Sequence, residues 1–318
     1  MTTPWWVWLL FNVGVLGVLA VDLGVARLRG HRAQTAAEAG RWVLLWVALS
    51  VAFGAGLWAV RGPERGLEFF TAYVVEYALS VDNLFVFLLV FEYFRIRPGE
   101  QHLLLFWGVL GAFVLRGMLI LGGAALVREF EWLLYLFGAL LIWTAIKLVR
   151  GGEDAPEADP AHNPVLKVAR RVLPVADPAP AGRFVVRGPH GIQVTPLFLV
   201  LLVVETTDLM FALDSIPAVL GVSRDPFVLY SSNVTAVLGL RSLFFLLRSL
   251  LARLRYLKPA LAVVLGFVGL KMIAEPWVPV PVWLSLVVIA GVLVLAFAAS
   301  WWKARGEPAA PDEDGPGA

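Results

Sequence analysis

The sequence predicts an all-α protein, built as a polytopic bundle of transmembrane helices. Of its 318 residues, 59% are apolar and only 16% are charged, and the chain has 13 Trp and 20 Phe. A soluble protein carries roughly 25% charged residues, so this much apolar surface does not fit into one core surrounded by water. The apolar residues also form runs that are apolar on all sides and about 20 residues long, which is the length that crosses a bilayer as a helix. These runs lack the alternation that is typical of barrel strands.

Nine such runs predict nine membrane spans. They lie at residues 5–26, 42–60, 69–91, 102–126, 132–149, 196–220, 227–247, 259–275 and 280–302. No basic residue precedes the first run, which favours a retained helix over a cleaved signal peptide.

The distribution of Lys and Arg predicts the orientation of the spans. The segments after spans 1, 3, 5, 7 and 9 hold 18 of the 26 Lys and Arg residues, and the segments on the opposite side hold four. Because cytoplasmic loops are enriched in Lys and Arg, we expect the N-terminus outside and the C-terminus in the cytoplasm. We therefore expect a multi-pass protein of the cytoplasmic (inner) membrane. Basic residues in short loops are topology signals, so no nucleic-acid partner is expected.

Two membrane segments share one acidic motif. Span 3 contains EYALSVDN at residues 76–83, and span 6 contains DLMFALDS at residues 208–215. In each motif an acid is followed six residues later by Asp and then by a small amide or hydroxyl residue. The shared pattern indicates an internal repeat.

The helices that follow each motif extend the match. The next span carries one intramembrane arginine, Arg116 or Arg241, and the third has an apolar run that ends in Lys147 or Lys271. Spans 3–5 and 6–8 are therefore predicted to be two three-helix units. Since three is an odd number of spans, the copies would be inverted, as in secondary transporters with a substrate site between the repeats.

The repeat and the composition of the connections predict the domain organisation. Two helices occupy 1–68, the first repeat 69–149, a linker 150–195, the second repeat 196–275, the last helix 276–302 and a cytoplasmic tail 303–318. The linker and the tail are rich in Pro, Ala, Asp and Gly, so we expect both to be largely disordered.

The intramembrane acids are the strongest functional signal. A carboxylate at the bilayer centre costs about 2.5–3.5 kcal/mol even on a lenient scale, so such groups must face the interior and be compensated. The four central acids are Glu76, Asp82, Asp208 and Asp214, and their candidate counter-charges are Arg116 and Arg241. This set has a net charge near −2, which one divalent cation would neutralise. The alternative is a set of purely structural salt bridges.

Helical geometry limits how the acids of one motif can act together. Residues six apart on a straight helix differ by about 120° in direction, so Glu76, Ser80 and Asn83 share a face that Asp82 does not. Two arrangements satisfy this limit. Either a helix unwinds at its motif, which Pro217 favours in span 6, or the acids pair across the repeats.

The second arrangement predicts acids at two depths. With antiparallel copies, Glu76 would lie level with Asp214 on the outer side, and Asp82 level with Asp208 on the inner side.

The candidate ligands are all oxygen donors, which suit hard cations such as Mg²⁺, Ca²⁺ and Mn²⁺. They are Glu76, Ser80, Asp82, Asn83, Glu205, Asp208, Asp214 and Ser215. The chain has no cysteine, so thiolate sites are excluded. Its four histidines lie in loops or at the start of a span, so imidazole ligands are not expected in the membrane interior. We expect no resident cofactor and no enzymatic activity. An intramembrane aspartyl protease is disfavoured because its YD and GxGD motifs are absent.

The acidic motifs resemble those of the TerC family of integral membrane proteins. The resemblance runs from about residue 5 to residue 302, and EYALSVDNLFVF (76–87), ETTDLMFALDSIPAVLG (205–221) and SSNVTAVLGLRSLFFLL (231–247) carry it. It implies a LysE-type fold of inverted three-helix units and efflux of Mn²⁺, with Glu76, Asp82, Asp208 and Asp214 as the ion-handling acids.

Outward movement of a divalent cation against about 100 mV costs about 4.6 kcal/mol. The sequence has no Walker motif and no DKTG-type phosphorylation loop, so we expect another gradient to supply this energy. Proton antiport is the leading hypothesis, because neighbouring carboxylates favour retention of a proton. A second hypothesis is a membrane scaffold for tellurium resistance or secretion, in which the buried charges are structural.

Overall fold

The computed structural model describes residues 3–29, 35–150, 164–176, 182–188, 191–250 and 256–306, and these are predominantly helical, as predicted. The elements in chain order are α1 (Trp5–Arg29), α2 (Ala36–Arg61), α3 (Pro63–Tyr93), α4 (Pro98–Glu129), α5 (Leu133–Arg150), α6 (Pro164–Val172), β1 (Val185–Gly188), β2 (Gly191–Val194), α7 (Pro196–Leu220), α8 (Pro226–Leu238), α9 (Leu240–Leu250), α10 (Leu257–Ala274) and α11 (Val282–Gly306).

The polytopic membrane architecture is confirmed. In the described part of the chain, seven helices are long and apolar enough to cross a membrane. The α8–α9 pair, bent by 44°, would make an eighth span. The apolar stretch of α1, Trp5–Val21, is shorter than the others. The count of nine spans therefore stays a prediction.

The helices begin where the sequence provides suitable first-turn residues. Pro63, Pro196 and Pro226 open α3, α7 and α8, where the missing N–H and the fixed φ of proline suit the first turn. The side chains of Thr195 and Asp225 accept backbone N–H groups at the starts of α7 and α8. These caps fix the entry points of two helices that carry polar residues into the interior.

Helices α5 and α10 pack closely because each has a glycine at the crossing point. A Cβ on Gly138 would lie 2.9 Å from the carbonyl oxygen of Gly269, and a Cβ on Gly269 would lie 2.7 Å from that of Gly138. Small residues of this kind let transmembrane helices approach backbone to backbone. The third helices of the two predicted repeats therefore contact each other directly.

The other helices of the two predicted repeats also contact each other in matching pairs. Helix α3 packs on α8, and α4 packs on α7 in the corresponding way. Two units related by a pseudo-two-fold axis would produce this pattern, and it supports the inverted repeat, which stays a prediction.

The linker prediction is wrong for the linker residues that the structure describes. They form α6 and the antiparallel β1–β2 hairpin rather than a disordered chain. Leu166 and Ala169 are buried, and α6 packs against α7. The prediction failed because the short apolar periodicity of this helix lies between proline-rich stretches. Residues 151–163 of the linker and 307–318 of the tail lie outside the described residues, and α11 extends to Gly306.

Candidate cation site

One buried arginine joins acids from both predicted repeats. Arg116 of α4 is only 1% exposed. Its Nε and Nη2 atoms donate to the two carboxylate oxygens of Asp208 on α7, at 3.0 and 2.8 Å. Its Nη1 atom donates to Oε1 of Glu76 on α3. We call Arg116, Glu76 and Asp208 the arginine clamp, in which two buried carboxylates share one fixed positive charge.

The predicted polar face of α3 is confirmed next to this clamp. Glu76, Ser80 and Asn83 are all buried. With its amide oxygen turned toward the guanidinium, Asn83 accepts a hydrogen bond from Arg116 Nη2 at 3.2 Å, and its nitrogen donates to the Leu79 carbonyl at 3.0 Å. Helix α3 therefore supplies a carboxylate, a hydroxyl and an amide along one face.

Several oxygen atoms of the predicted ligand set are buried without a hydrogen-bond partner. Within the described residues they are Oε2 of Glu76, Oγ of Ser80, Oε2 of Glu205 and Oγ of Ser215. A buried polar atom without a partner costs about 1–3 kcal/mol, so such atoms indicate a place for water or an ion. Two of these residues belong to α3 and two to α7.

Glu205 lies one turn before Asp208 and packs against a glycine of α4. A Cβ at Gly111 would overlap the carboxylate of Glu205, so no side chain fits between this carboxylate and the helix backbone. Sequence reasoning named Glu205 but missed Gly111. The signal was available in the pair Gly108 and Gly111, whose spacing places two small residues on one face of α4.

The predicted pairing of acids by depth stays a prediction, because each pair includes a side chain outside the described ones. Among the described acids, Glu76 and Asp208 contact the same guanidinium, so one acid of each predicted repeat lies at this point. The predicted unwinding is wrong, because α3 is continuous through its motif and α7 continues past Pro217. Pro217 lies in the last turn of α7, where the loss of one backbone hydrogen bond is tolerated.

Asp82 and Asp214 lie on α3 and α7, but their side chains are outside the described ones. Among the side chains that the structure describes, no three acids or histidines converge as a ready metal site. The described geometry is that of carboxylates held by an arginine, with free oxygen atoms near it on the same helices.

Comparison with known proteins identifies the family of this chain. Residues 61–307 match the family described as the integral membrane protein TerC family. The chain belongs to the TerC family. A membrane protein of Myxococcus xanthus, STKORF319, which is uncharacterized, is 44% identical over 312 residues, or 97% of this chain and 96% of that protein. Alx of Escherichia coli strain K12, for which a role as a membrane-bound redox modulator has been suggested, is 40% identical over 301 residues, or 92% of this chain and 93% of Alx. No solved structure matches the chain.

The second intramembrane arginine of this TerC family protein lies at a helix break. Arg241 is buried in the first turn of α9, two residues after Gly239, where the chain bends between α8 and α9. Helix α8 before the bend carries the buried polar residues Ser231, Ser232 and Asn233. The segment SSNVTAVLGLRS thus contains the 44° bend between α8 and α9.

A second charged cluster lies where α2 ends and where α3 and α8 begin. Buried Glu68 pairs with Arg65 at 2.7 Å and accepts a hydrogen bond from Ser223 Oγ at 2.7 Å. Asp225 pairs with Arg61 at 3.3 Å. Sequence reasoning missed this outer cluster, although Glu68 lies about two turns before Glu76 on the same helix. The outer cluster lies at the end of α3 that is predicted to face outside.

Proposed function

We propose that this TerC family protein is a secondary transporter that exports a hard divalent cation, Mn²⁺ first among them, from the cytoplasm. The observation that carries the proposal is the arginine clamp together with the unpartnered buried oxygens of α3 and α7. These groups lie on the faces of two helices that also pack against each other. A purely structural salt bridge would not require additional oxygen atoms to be left without partners.

The described charged groups of the site leave an excess of negative charge for a cation. Glu76, Asp208 and Glu205 with Arg116 have a formal charge of −2 when all are ionised. Carboxylate, hydroxyl and amide oxygens are the ligands that hard cations prefer. Asp82 and Asp214 are expected to add further carboxylates on the same two helices. The choice of Mn²⁺ rests on the family resemblance rather than on the ligand types.

The arginine clamp suggests how the transporter remains stable without its cargo. Two carboxylates buried in a low-dielectric interior are strongly destabilising when uncompensated. The guanidinium of Arg116 compensates them while the cation is absent. When the cation arrives, it takes over part of this role, and Arg116 moves off one carboxylate. The acids are then compensated in both stages of the transport cycle.

The coupling ion in this proposal is the proton. Protons that enter from outside neutralise the acids, weaken their hold on the metal and allow its release. The guanidinium then returns to the carboxylates that lose their protons toward the cytoplasm. This cycle exchanges protons for a divalent cation and needs no nucleotide.

The test measures cellular manganese with and without the protein under manganese load. Cells that express the protein should accumulate less Mn²⁺, and the Asp208→Asn variant should lose this effect while it is still present in the membrane. In proteoliposomes, Mn²⁺ flux should rise when a proton gradient is imposed. Flux that ignores the gradient would refute the proton coupling, and unchanged manganese content would refute export itself.

The scaffold hypothesis makes the opposite prediction for neutral substitutions. If the charges only lock helices together, Asp82→Asn and Asp214→Asn should leave transport unchanged wherever the protein folds. The redox role suggested for Alx has no thiol basis in this chain, which contains no cysteine. No described feature favours either alternative over transport.

A further inference from the structure

The described residues between α5 and α7 carry charge of one sign. These residues, 164–176, 182–188 and 191–195, include five basic residues and no acidic residue, and the acidic residues of the segment lie outside them in the sequence. All five basic side chains are exposed, namely Lys167, Arg170, Arg171, Arg183 and Arg187. We call them, with the apolar residues between them, the basic surface.

Apolar side chains are exposed within this surface. On α6, Leu166 and Ala169 face inward, whereas Val168 and Val172 are 59% and 71% exposed. On the hairpin, Arg187 lies directly opposite Ile192, which is 68% exposed. Residues paired across two strands point to the same side of the hairpin, so this face is mixed basic and apolar.

The basic surface is fixed close to the ends of membrane helices. The backbone N–H of Gly182 donates to Glu100 in the first turn of α4 at 3.2 Å, and the Thr195 hydroxyl donates to the Arg183 carbonyl at 2.6 Å. Phe184 also contacts Trp107 of α4, with ring centroids 6.3 Å apart. The surface therefore stays at the end of the bundle that the distribution of Lys and Arg predicts to be cytoplasmic.

We propose that the basic surface docks on anionic phospholipid headgroups of the adjacent leaflet, with Val168, Val172 and Ile192 entering the interfacial region. Lys and Arg attract anionic lipids near the membrane surface, and exposed apolar side chains beside them add burial. A second copy of the chain is disfavoured as the occupant because two basic surfaces would repel each other. This docking is independent of which cation is transported.

The absence of cysteine makes the docking directly measurable. The Val172→Cys variant is labelled with the fluorophore NBD and reconstituted into phosphatidylcholine vesicles with or without phosphatidylglycerol. Anionic vesicles should shift the emission to the blue and allow quenching by lipids that carry a bromine in the upper acyl chain. High salt should reduce both effects because it screens the headgroup charge.

Charge-removed variants provide the matched comparison. Arg170→Gln with Arg171→Gln should raise the phosphatidylglycerol fraction needed for half-maximal quenching by about fivefold or more. Arg95→Gln with Arg97→Gln, two exposed residues between α3 and α4, should leave it unchanged. A label at Glu131→Cys, near the opposite ends of the helices, should not respond to the basic-surface variants.

Three results would overturn the proposal. The first is emission from the Val172→Cys label that is identical in neutral and anionic vesicles. The second is an equal loss of quenching in the Arg95 and Arg97 variant. The third is a blue shift in detergent without lipid that grows with protein concentration, because it would mean that a second copy covers the surface.

Discussion

At the scale of single residues, Arg116 compensates two buried carboxylates in the described membrane interior. Its guanidinium is planar and carries several N–H donors, which allows it to hold Asp208 with two hydrogen bonds and Glu76 with a third. An ammonium group offers no such fork. The identity of this residue, and not only its charge, therefore determines the polar contacts that link α3, α4 and α7.

Replacing Arg116 tests both its structural and its transport role. Arg116→Gln should lower the free energy of unfolding by about 3–5 kcal/mol, because it leaves buried carboxylates without their cation. Arg116→Lys should fall between this variant and the wild type. Thermal unfolding in detergent gives the order of stability, and Arg128→Gln, an exposed arginine near the end of the same helix, is the control.

The same substitution separates competition from simple structural support. If the guanidinium and the metal compete for the carboxylates, folded Arg116→Gln protein should bind Mn²⁺ more tightly and transport it more slowly than the wild type. Equilibrium binding to protein in nanodiscs measures the affinity. Weaker binding with otherwise normal folding would show that Arg116 helps to build the site rather than to compete for it.

Gly111 offers a test of Glu205 that leaves every charge in place. Gly111→Ala would place a methyl group where the Glu205 carboxylate lies, so the acid must move, and Mn²⁺ transport should fall by about tenfold or more. Gly122→Ala on the same helix has nothing within 4 Å of its added Cβ and should transport normally. Equal transport by the two alanine variants would show that the position of Glu205 is unimportant.

At the scale of elements, the α5–α10 crossing depends on two glycines rather than on charge. The backbone of each helix occupies the space that a side chain of the other would need. This contact links the third helices of the two predicted repeats. It is therefore a mechanical connection between two halves that a rocking transporter would move against each other.

Alanine at this crossing should force the helices apart. Gly138→Ala and Gly269→Ala should each lower the free energy of unfolding by about 1–3 kcal/mol, because the added methyl group meets backbone atoms that cannot rotate away. Gly291→Ala in α11 meets no atom within 4 Å and should be neutral. Thermal unfolding of the purified variants gives the comparison. Stability equal to that of the Gly291 variant would mean that α5 and α10 can separate without cost.

The elements also show what the sequence can and cannot predict. Long apolar runs predict helices such as α7 closely, since a membrane leaves the backbone few alternatives. The bend at Gly239 was missed because it depends on packing against distant helices. Helix α6 was missed because its short apolar periodicity lies between proline-rich stretches. In the site, the shared face of Glu76, Ser80 and Asn83 follows from helical spacing. The contact between Glu76 and Asp208 does not, because it depends on how α3 and α7 pack around α4.

At the scale of the whole molecule, charged residues mark two different ends of the bundle. At one end Arg61, Arg65, Glu68 and Asp225 form ion pairs among themselves. At the other end the basic surface has no described acid of its own and is open to an anionic partner. A cation leaving the site would pass toward the first end in the predicted orientation, and the ion pairs there would have to open.

Orientation decides which end of the bundle faces the cytoplasm, and the cysteine-free chain allows it to be measured. Glu131 is exposed between α4 and α5, and Arg97 is exposed before α4. In spheroplasts, a membrane-impermeant maleimide should label the Glu131→Cys variant at once and the Arg97→Cys variant only after permeabilisation, because the positive-inside rule places them on opposite sides. The reverse pattern would place the basic surface outside and would contradict the predicted topology. Labelling of both variants in intact spheroplasts would mean that the helices between them do not cross the membrane as predicted.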